Sequence, residues 1–157
     1  LAKVCGQRDG KHEKLEGSFN EYFSKVRSQN FNAESKRRII VGTFARMAGF
    51  RDAYYLKALK VRTKIIDEYK RAFSKFDVLI SPTMPIISPK LEEIEKLSPL
   101  QTYMLDLCLS AVNLAGLPHI SLNAGYYKNM PVGMLIIADH FEEKKLIQVA
   151  SAAEIRR

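Results

Sequence analysis

Two charged residues, Asp106 and Arg38, stand in sequence surroundings where a charge needs an explanation. Asp106 lies within residues 103–109, which are otherwise apolar, and a helix that is apolar on every side is typically buried. Burying a lone carboxylate is costly, so a cation, hydrogen bonds or a proton must stabilise it. The sequence therefore predicts either a salt bridge to a basic residue such as Arg62 or a carboxylate kept for a cationic ligand group.

Arg38 begins a helix face that is almost free of side-chain bulk. Steps of four, three and four residues lead from Arg38 to Gly42, Ala45 and Gly49. Glycine inside a helix costs up to about 1 kcal/mol relative to alanine, which predicts a closely packed neighbour as compensation. An arginine beside such space can hold a carboxylate through two parallel hydrogen bonds. As one of three consecutive basic residues, 36–38, it also suits a solvated turn.

Together the two residues suit the two charged ends of a free α-amino acid. Arginine binds a carboxylate and aspartate binds an ammonium group, so a cavity that both faced would be a receptor for a zwitterion. The three histidines lack the spacing of metal ligands, and the sequence contains neither a G-x-S-x-G nucleophile motif nor a phosphate-binding glycine loop. We therefore expect no metal site and no ATP site in this chain.

The composition suits one compact domain or one piece of a larger domain. Of 157 residues, 46% are hydrophobic, and 25 basic against 17 acidic residues give a formal charge of +8. This surplus favours an anionic partner, either nucleic acid or another protein chain. Two cysteines are too few for a disulfide scaffold, so a reducing cytosol is the expected compartment. Polar residues interrupt the longest apolar stretch, 104–122, so we expect no membrane span.

Helices and short strands alternate along the chain. Periodicity and capping signals predict helices over 18–27, 33–48, 51–76, 98–115 and 142–155, and strands over 77–81, 119–124 and 132–138. We expect the two later strands to belong to one sheet with little solvent exposure. A flexible segment, 1–14, is expected to precede the domain, 15–157. This order of elements predicts an α/β sandwich.

Six segments of the sequence resemble one known family. They are 27–31, 36–44, 52–55, 60–63, 81–85 and 112–118, and the most specific are Lys-Arg-Arg-Ile-Ile-Val-Gly-Thr-Phe at 36–44 and Asn-Leu-Ala-Gly-Leu-Pro at 113–118. From about Phe19 onward, the chain resembles the C-terminal part of the A subunits of glutamyl-tRNA(Gln) or aspartyl-tRNA(Asn) amidotransferases, which are amidase-signature enzymes. The resemblance implies an α/β/α sandwich around a mixed sheet.

The resemblance implies a substrate-binding role for the chain. Arg38 matches the arginine that holds the α-carboxylate of glutamine, and Asp106 matches the aspartate that binds its α-amino group. The family's serine–serine–lysine catalytic residues lie in an N-terminal portion that nothing here matches. We therefore expect no catalytic residue in this chain, which should be inactive alone.

The family also implies partners. Its A subunit hydrolyses glutamine and passes ammonia to a B subunit, which uses ATP and Mg²⁺ to convert mischarged Glu-tRNA(Gln) or Asp-tRNA(Asn). Many members add a C subunit. We expect this chain to be a fragment whose uncovered apolar surface favours self-association.

Two alternatives remain open. The chain departs from the family pattern at Ala111, Asn123, Leu135 and Asp139. A different amide hydrolase of the amidase-signature family is therefore one alternative. A basic helical module that binds tRNA is the other, because three tyrosines of the third helix lie among lysines. These residues are Tyr54, Tyr55, Tyr69, Lys57, Lys60 and Lys64. Their helical period also suits a core with a basic outer face.

Overall fold

The protein is described from a computed structural model, in which residues 10–14 and 16–154 are described. Cys5, Leu15, Ile155 and most of the predicted segment 1–14 lie outside these residues, so the predicted domain boundary remains a prediction. No helix or strand forms within the described residues before Phe19. The chain divides into two compact units, Leu1–Leu59 and Lys60–Arg157.

The first helix of the first unit, α1 (Phe19–Asn30), begins with a capping box. The Ser18 hydroxyl accepts a hydrogen bond from the Glu21 backbone N–H, and the Glu21 carboxylate accepts one from the Ser18 N–H at 2.7 Å. This exchange satisfies two backbone donors that the helix itself cannot pair. The predicted helix start is confirmed. Tyr22 and Val26 are the buried residues of α1.

The second helix, α2 (Ala33–Phe44), starts where the sequence predicts and ends earlier. The Asn32 side chain accepts a hydrogen bond from the Ser35 N–H at 2.8 Å, so Asn32 is the cap. The helix stops four residues before the predicted end at residue 48. Gly49 lies outside it with a φ of +86°, a conformation that glycine adopts without strain.

A π-helical turn replaces the first part of the predicted third helix. Residues Arg51–Leu56 form this turn, which leads directly into α3 (Lys57–Phe73). Before it, the ring of Phe50 lies 4.3 Å from that of Phe44 and 6.2 Å from that of Tyr54, centroid to centroid. This aromatic cluster packs the chain reversal between α2 and the turn.

The second unit contains a three-stranded antiparallel sheet in the order β1-β3-β2. Its strands are β1 (Leu79–Pro82), β2 (His119–Tyr127) and β3 (Met130–Ile137). A tight turn joins β2 to β3, and its two residues, Lys128 and Asn129, both have positive φ, as two-residue hairpins require. The predicted burial is correct for the second half of β3 only. β1 and β2 are outer strands of this sheet; β1 alternates between half-buried and exposed positions, and β2 contains both kinds without strict alternation.

Four further helices belong to the second unit: α4 (Leu91–Ile94), α5 (Pro99–Leu105), α6 (Leu107–Ala115) and α7 (Glu143–Ala153). Ser98 caps α5 in a second capping box, and Gly116 ends α6 with a φ of +76°, as the sequence predicts. The single predicted helix over 98–115 is wrong, because the chain breaks between α5 and α6. None of the helices in the described part of the chain is long and apolar enough to cross a membrane.

The core of the second unit is built on both faces of β3. Leu135 and Ile137 point to one face, where they pack with α6 and with partly buried apolar residues of α3. Ile136 and Ala138 point to the other face, where they pack against α7. The alternation follows from the two-residue period of a strand. Helices therefore cover both faces of the sheet, and the predicted α/β class is confirmed, with antiparallel pairing in all described strands.

We expect Gly133→Ala to destabilise the protein and Gly42→Ala to stabilise it. A Cβ at Gly133 would lie 2.9 Å from the Thr83 Cβ and 3.1 Å from the Ser121 Oγ, whereas a Cβ at Gly42 meets nothing within 4 Å. Overpacking costs about 1–3 kcal/mol, and alanine gains roughly 0.5–1 kcal/mol over glycine inside a helix. Urea unfolding midpoints of both variants measure the difference, and equal shifts would contradict the packing at Gly133.

Candidate functional site

Arg38 lies on α2 in the first unit, and its guanidinium is held by a glutamate one turn earlier. The Arg38 Nε donates a hydrogen bond to Oε1 of Glu34 at 2.7 Å, and the Arg38 side chain is 50% exposed. Arg37 donates from its Nε to the other oxygen, Oε2, at 2.9 Å. Glu34 therefore bridges two neighbouring guanidinium groups. The sequence interpretation missed Glu34, although its spacing of four residues from Arg38 is a recognisable ion-pair signal.

Both arginines lower the pKa of the Glu34 carboxyl. The hydrogen bond from Arg38 is the largest cause, and the one from Arg37 is the second. Each favours the charged form of the carboxyl group. Because the pair is exposed, solvent screens it, and its contribution to overall stability is small. Its effect is local: it restricts where the Arg38 guanidinium can point.

The prediction of a closely packed neighbour for the helix face that begins at Arg38 is wrong. The predicted open space next to Arg38 is present. Gly42, one turn after Arg38, has no atom within 4 Å of the position that a Cβ would occupy. Gly49 does not share the face, because α2 ends at Phe44. Glycine at position 42 lowers the stability of the helix, and no described residue packs closely enough there to offset this loss.

Asp106 lies at the break between α5 and α6 in the second unit. It ends the first helix and precedes the second, with φ −90° and ψ 9°. The prediction that it is buried is wrong, because Asp106 is exposed. Its apolar neighbours Met104 and Leu107 are 53% and 59% exposed. Part of the apolar run therefore forms an uncovered surface, while Leu109 packs against the core.

The Asp106 carboxylate is not used to cap α6. An aspartate in this position commonly accepts hydrogen bonds from the first backbone N–H groups of the helix. Here no side-chain cap bond forms, and the Asp106 carbonyl accepts from the N–H groups of Leu109 and Ser110 at 3.0 and 2.9 Å. Within the described part of the chain, the Asp106 carboxylate makes no hydrogen bond or ion pair. An exposed, unengaged carboxylate can bind a cationic group.

The predicted salt bridge between Asp106 and Arg62 does not form. The Arg62 Nε instead donates a hydrogen bond to the Leu114 carbonyl at 2.6 Å, near the C-terminal end of α6. The last carbonyls of a helix lack partners within it and carry partial negative charge, so a guanidinium is favourable there. Arg62 therefore pairs with the C-terminal end of α6 instead of with Asp106.

Arg38 belongs to the first compact unit and Asp106 to the second. Each is on the surface of its own unit, and their convergence on one cavity remains a prediction.

A cleft of about 750 Å³ in the second unit was not foreseen from the sequence. It lies between the proline-rich loop after β1 and the facing ends of β2 and β3, and neither Arg38 nor Asp106 lines it. Apolar side chains such as Met84 and Ile86 form much of the wall. Its polar groups include two hydroxyls, Thr83 Oγ1 and Ser121 Oγ, that share a hydrogen bond of 2.6 Å. Among the described residues that line the cleft, none is acidic or basic.

Two of the histidines contact backbone carbonyls. His140 places its Nε2 3.0 Å from the Ala115 carbonyl and its Nδ1 3.3 Å from the Asp139 carboxylate. His119 places its Nδ1 3.0 Å from the Leu117 carbonyl. Both contacts hold the connection between α6 and the sheet. In the part of the chain that the structure describes, no group of three or more metal-binding side chains is present.

We expect Arg38→Gln to raise the pKa of Glu34, because the hydrogen bond from Arg38 is the largest cause of its lowering. The titration of the Glu34 Cδ resonance by ¹³C NMR measures the shift. A carboxyl group with a lowered folded pKa contributes stability above its unfolded pKa and loses it as the pH falls through the folded pKa. The variant should lose less stability in that acidic range. Arg37→Gln is the matched control, and a larger rise there would contradict the order of causes.

Comparisons with known proteins agree on one family. Residues 3–147 match the family model described as Amidase. The chain is 46% identical over 154 residues to the A subunit of glutamyl-tRNA(Gln) amidotransferase from Heliobacterium modesticaldum, covering 98% of this chain and 31% of that protein. The corresponding protein from Archaeoglobus fulgidus is 47% identical over 148 residues, covering 94% of this chain and 32% of the relative. The chain therefore spans about a third of the length of the curated relatives it matches.

Solved structures give the same family. The crystal structure of the A subunit of glutamyl-tRNA(Gln) amidotransferase from Thermotoga maritima is 38% identical with a TM-score of 0.62, covering 83% of this chain and 29% of that chain. An allophanate hydrolase from Kluyveromyces lactis is 25% identical with a TM-score of 0.60, covering 84% of this chain and 22% of that one. The resemblance inferred from the sequence is confirmed, and the chain belongs to the amidase family.

Proposed function

We propose that this chain is the glutamine-binding part of the glutaminase subunit of a tRNA-dependent amidotransferase. The similarity to relatives named as glutamyl-tRNA(Gln) amidotransferase components supports the class of enzyme. The observation that carries the binding role is the Asp106 carboxylate, which is exposed at a helix break and leaves the cap position unused. That carboxylate suits the α-ammonium group of an amino acid.

Arg38 binds the α-carboxylate of glutamine in this proposal. A guanidinium offers a planar set of N–H donors that matches both oxygens of a carboxylate, and such charge-assisted bonds are stronger than neutral ones. The arginine and the aspartate thus fix the two charged groups on Cα. The side-chain amide then extends toward the nucleophile, and this positioning is the chain's contribution to the reaction rate.

The chemical step requires groups that we assign to other parts of the assembly. The serine–serine–lysine set of the family attacks the glutamine amide and releases ammonia. In this proposal the ammonia passes to a B subunit, which uses ATP and Mg²⁺ to amidate Glu-tRNA(Gln) or Asp-tRNA(Asn), in some assemblies with a C subunit. The assembly works in the cytoplasm, and this chain contributes amino-acid recognition only.

The apolar cleft favours a second candidate, an amide hydrolase with a different substrate. Its volume of about 750 Å³ and its lack of charged lining suit a larger, uncharged amide. This alternative does not need Arg38 or Asp106 for substrate recognition, which is the difference that an experiment can measure.

We expect Asp106→Asn and Arg38→Gln each to raise the KM for glutamine, the first by removing the contact to the α-amino group and the second by removing the contact to the α-carboxylate. The test protein is a chimaera, the Heliobacterium relative with its matching third replaced by this chain. Losing one charge-assisted contact costs about 1.5–3 kcal/mol, or roughly tenfold or more in KM. Asp106→Asn should raise KM for glutamine but not for glutaramate, which lacks the α-amino group. Arg38→Gln should raise KM for glutamine but not for 4-aminobutanamide, which lacks the α-carboxylate.

Two exposed residues provide matched controls for these variants. Asp67→Asn removes an exposed aspartate of α3, and Arg71→Gln removes an exposed helical arginine that pairs with Glu68 at 3.9 Å. Both should leave KM within twofold of the unchanged chimaera. If Asp106→Asn and Arg38→Gln also leave the glutamine KM unchanged, the second candidate replaces the proposed function.

We expect the chain alone to release no ammonia from glutamine. Adding the separately produced N-terminal portion of the Heliobacterium relative should restore hydrolysis, because that portion supplies the catalytic groups of the family. Coupled detection of ammonia at neutral pH measures both conditions. Hydrolysis by the unsupplemented chain above the rate of a heat-treated sample would show that it contains its own nucleophile.

A further inference from the structure

We propose that Glu34 is a positioning residue that sets the orientation in which Arg38 meets the substrate carboxylate. This inference rests on the proposed function, in which Arg38 binds the α-carboxylate of glutamine. Glu34 is in the first turn of α2, one turn before Arg38 on the same helix. Its Oε1 accepts from the Arg38 Nε at 2.7 Å, while Oε2 accepts from Arg37.

The bond at Nε decides which edge of the guanidinium a ligand can use. A guanidinium binds a carboxylate side-on, through Nε and one Nη, or end-on, through both Nη atoms. The Glu34 carboxylate takes Nε. A substrate carboxylate that leaves this bond intact cannot bind side-on through Nε. Glu34 therefore selects the approach direction and turns the plane of the guanidinium toward it.

The same bond reduces the conformational freedom that glutamine binding would otherwise remove. An arginine side chain has several rotatable bonds, and fixing them on binding weakens affinity. Half of the Arg38 side chain is exposed, so packing does not fix it fully. Anchoring Nε before the substrate arrives lowers this cost. Arg37 is held by the other oxygen of the same carboxylate, Oε2.

A purely electrostatic role predicts the opposite result. The Glu34 charge offsets part of the positive charge of the two arginines, so its removal would strengthen the attraction for a substrate carboxylate. Under that reading, neutralising Glu34 lowers KM for glutamine. Under the positioning role, KM rises, because the gain in attraction does not replace the lost orientation. The sign of the change therefore separates the two roles.

The test is steady-state glutaminase kinetics of Glu34→Gln and Glu34→Ala in the chimaera that contains this chain. We expect KM for glutamine to rise by about threefold in Glu34→Gln, which keeps a neutral acceptor oxygen, and by about tenfold in Glu34→Ala. The kcat should stay within twofold. KM for 4-aminobutanamide should not change, because that substrate has no α-carboxylate for Arg38 to orient.

Arg37→Gln is the matched control, because it removes the guanidinium that binds the other Glu34 oxygen and keeps the hydrogen bond between Glu34 and Arg38. We expect it to leave the glutamine KM within twofold. An unchanged or lowered KM in both Glu34 variants overturns the inference, and so does an equal rise for both substrates. If Glu34→Ala does not fold by circular dichroism, the result for Glu34→Gln decides alone.

Arg38→Gln distinguishes failure of this inference from failure of the proposed function. If Arg38→Gln raises the glutamine KM while the Glu34 variants do not, only the positioning role of Glu34 is wrong. If Arg38→Gln has no effect either, the carboxylate-binding role of Arg38 is wrong and the inference falls with it.

Discussion

The burial of β3 on both faces is the constraint on which the second unit depends. Successive side chains of a strand point to opposite faces of the sheet, so apolar residues at consecutive positions leave water only when both faces are covered. Val112 and Ala115 of α6 provide part of one cover, next to Leu135 and Ile137. The core therefore fixes the position of α6. Asp106 directly precedes α6, so the same packing places Asp106 at the surface.

Two contacts strengthen this placement at the opposite end of α6. Arg62 donates to the Leu114 carbonyl, and the ring of His140 lies 3.0 Å from the Ala115 carbonyl. Both satisfy carbonyl groups that a helix leaves unpaired at its C-terminus. The helix is thus held by its C-terminal end and its core-facing side. At the N-terminal end, the Asp106 side chain makes no cap hydrogen bond to the helix.

Local chemistry was sufficient to predict the element boundaries that depend on a few neighbouring residues. The caps at Ser18 and Ser98 and the C-cap at Gly116 follow from residues within one turn, whereas for α2 the sequence left Asn32 and Ser35 as alternative caps and the structure has Asn32. The break at Asp106 did not follow, because the apolar pattern over 98–115 is continuous and only tertiary packing distinguishes its two halves. The early end of α2 and the π-helical turn did not follow from the sequence either, and neither element contains a buried residue. The spacing of apolar residues along the sequence does not show at which residue a helix breaks or ends.

The candidate site likewise has features that the sequence could predict and features that it could not. Charge in an unusual context led to the prediction of Arg38 and Asp106 as binding residues, which remains a prediction, and the argument from burial was wrong for Asp106. The signal was the retention of a carboxylate within an apolar run, and that signal holds whether the run is buried or forms an uncovered surface. The Thr83–Ser121 hydroxyl pair and its cleft could not be predicted, because strand pairing brings these distant residues together.

If Asp106 binds an ammonium group as proposed, the exposed apolar residues around it link that binding to the covering of this surface. In water, one carboxylate holds an ammonium group weakly, because the high dielectric constant reduces the attraction. Covering Met104 and Leu107, which are largely exposed, gains roughly 25 cal/mol for each Å² of apolar surface removed from water. It also lowers the dielectric constant near Asp106. In the proposed function, a portion of the domain that covers this surface strengthens the ammonium contact as long as the paired charges keep their hydrogen bonds, and the bound amino acid strengthens the association in return.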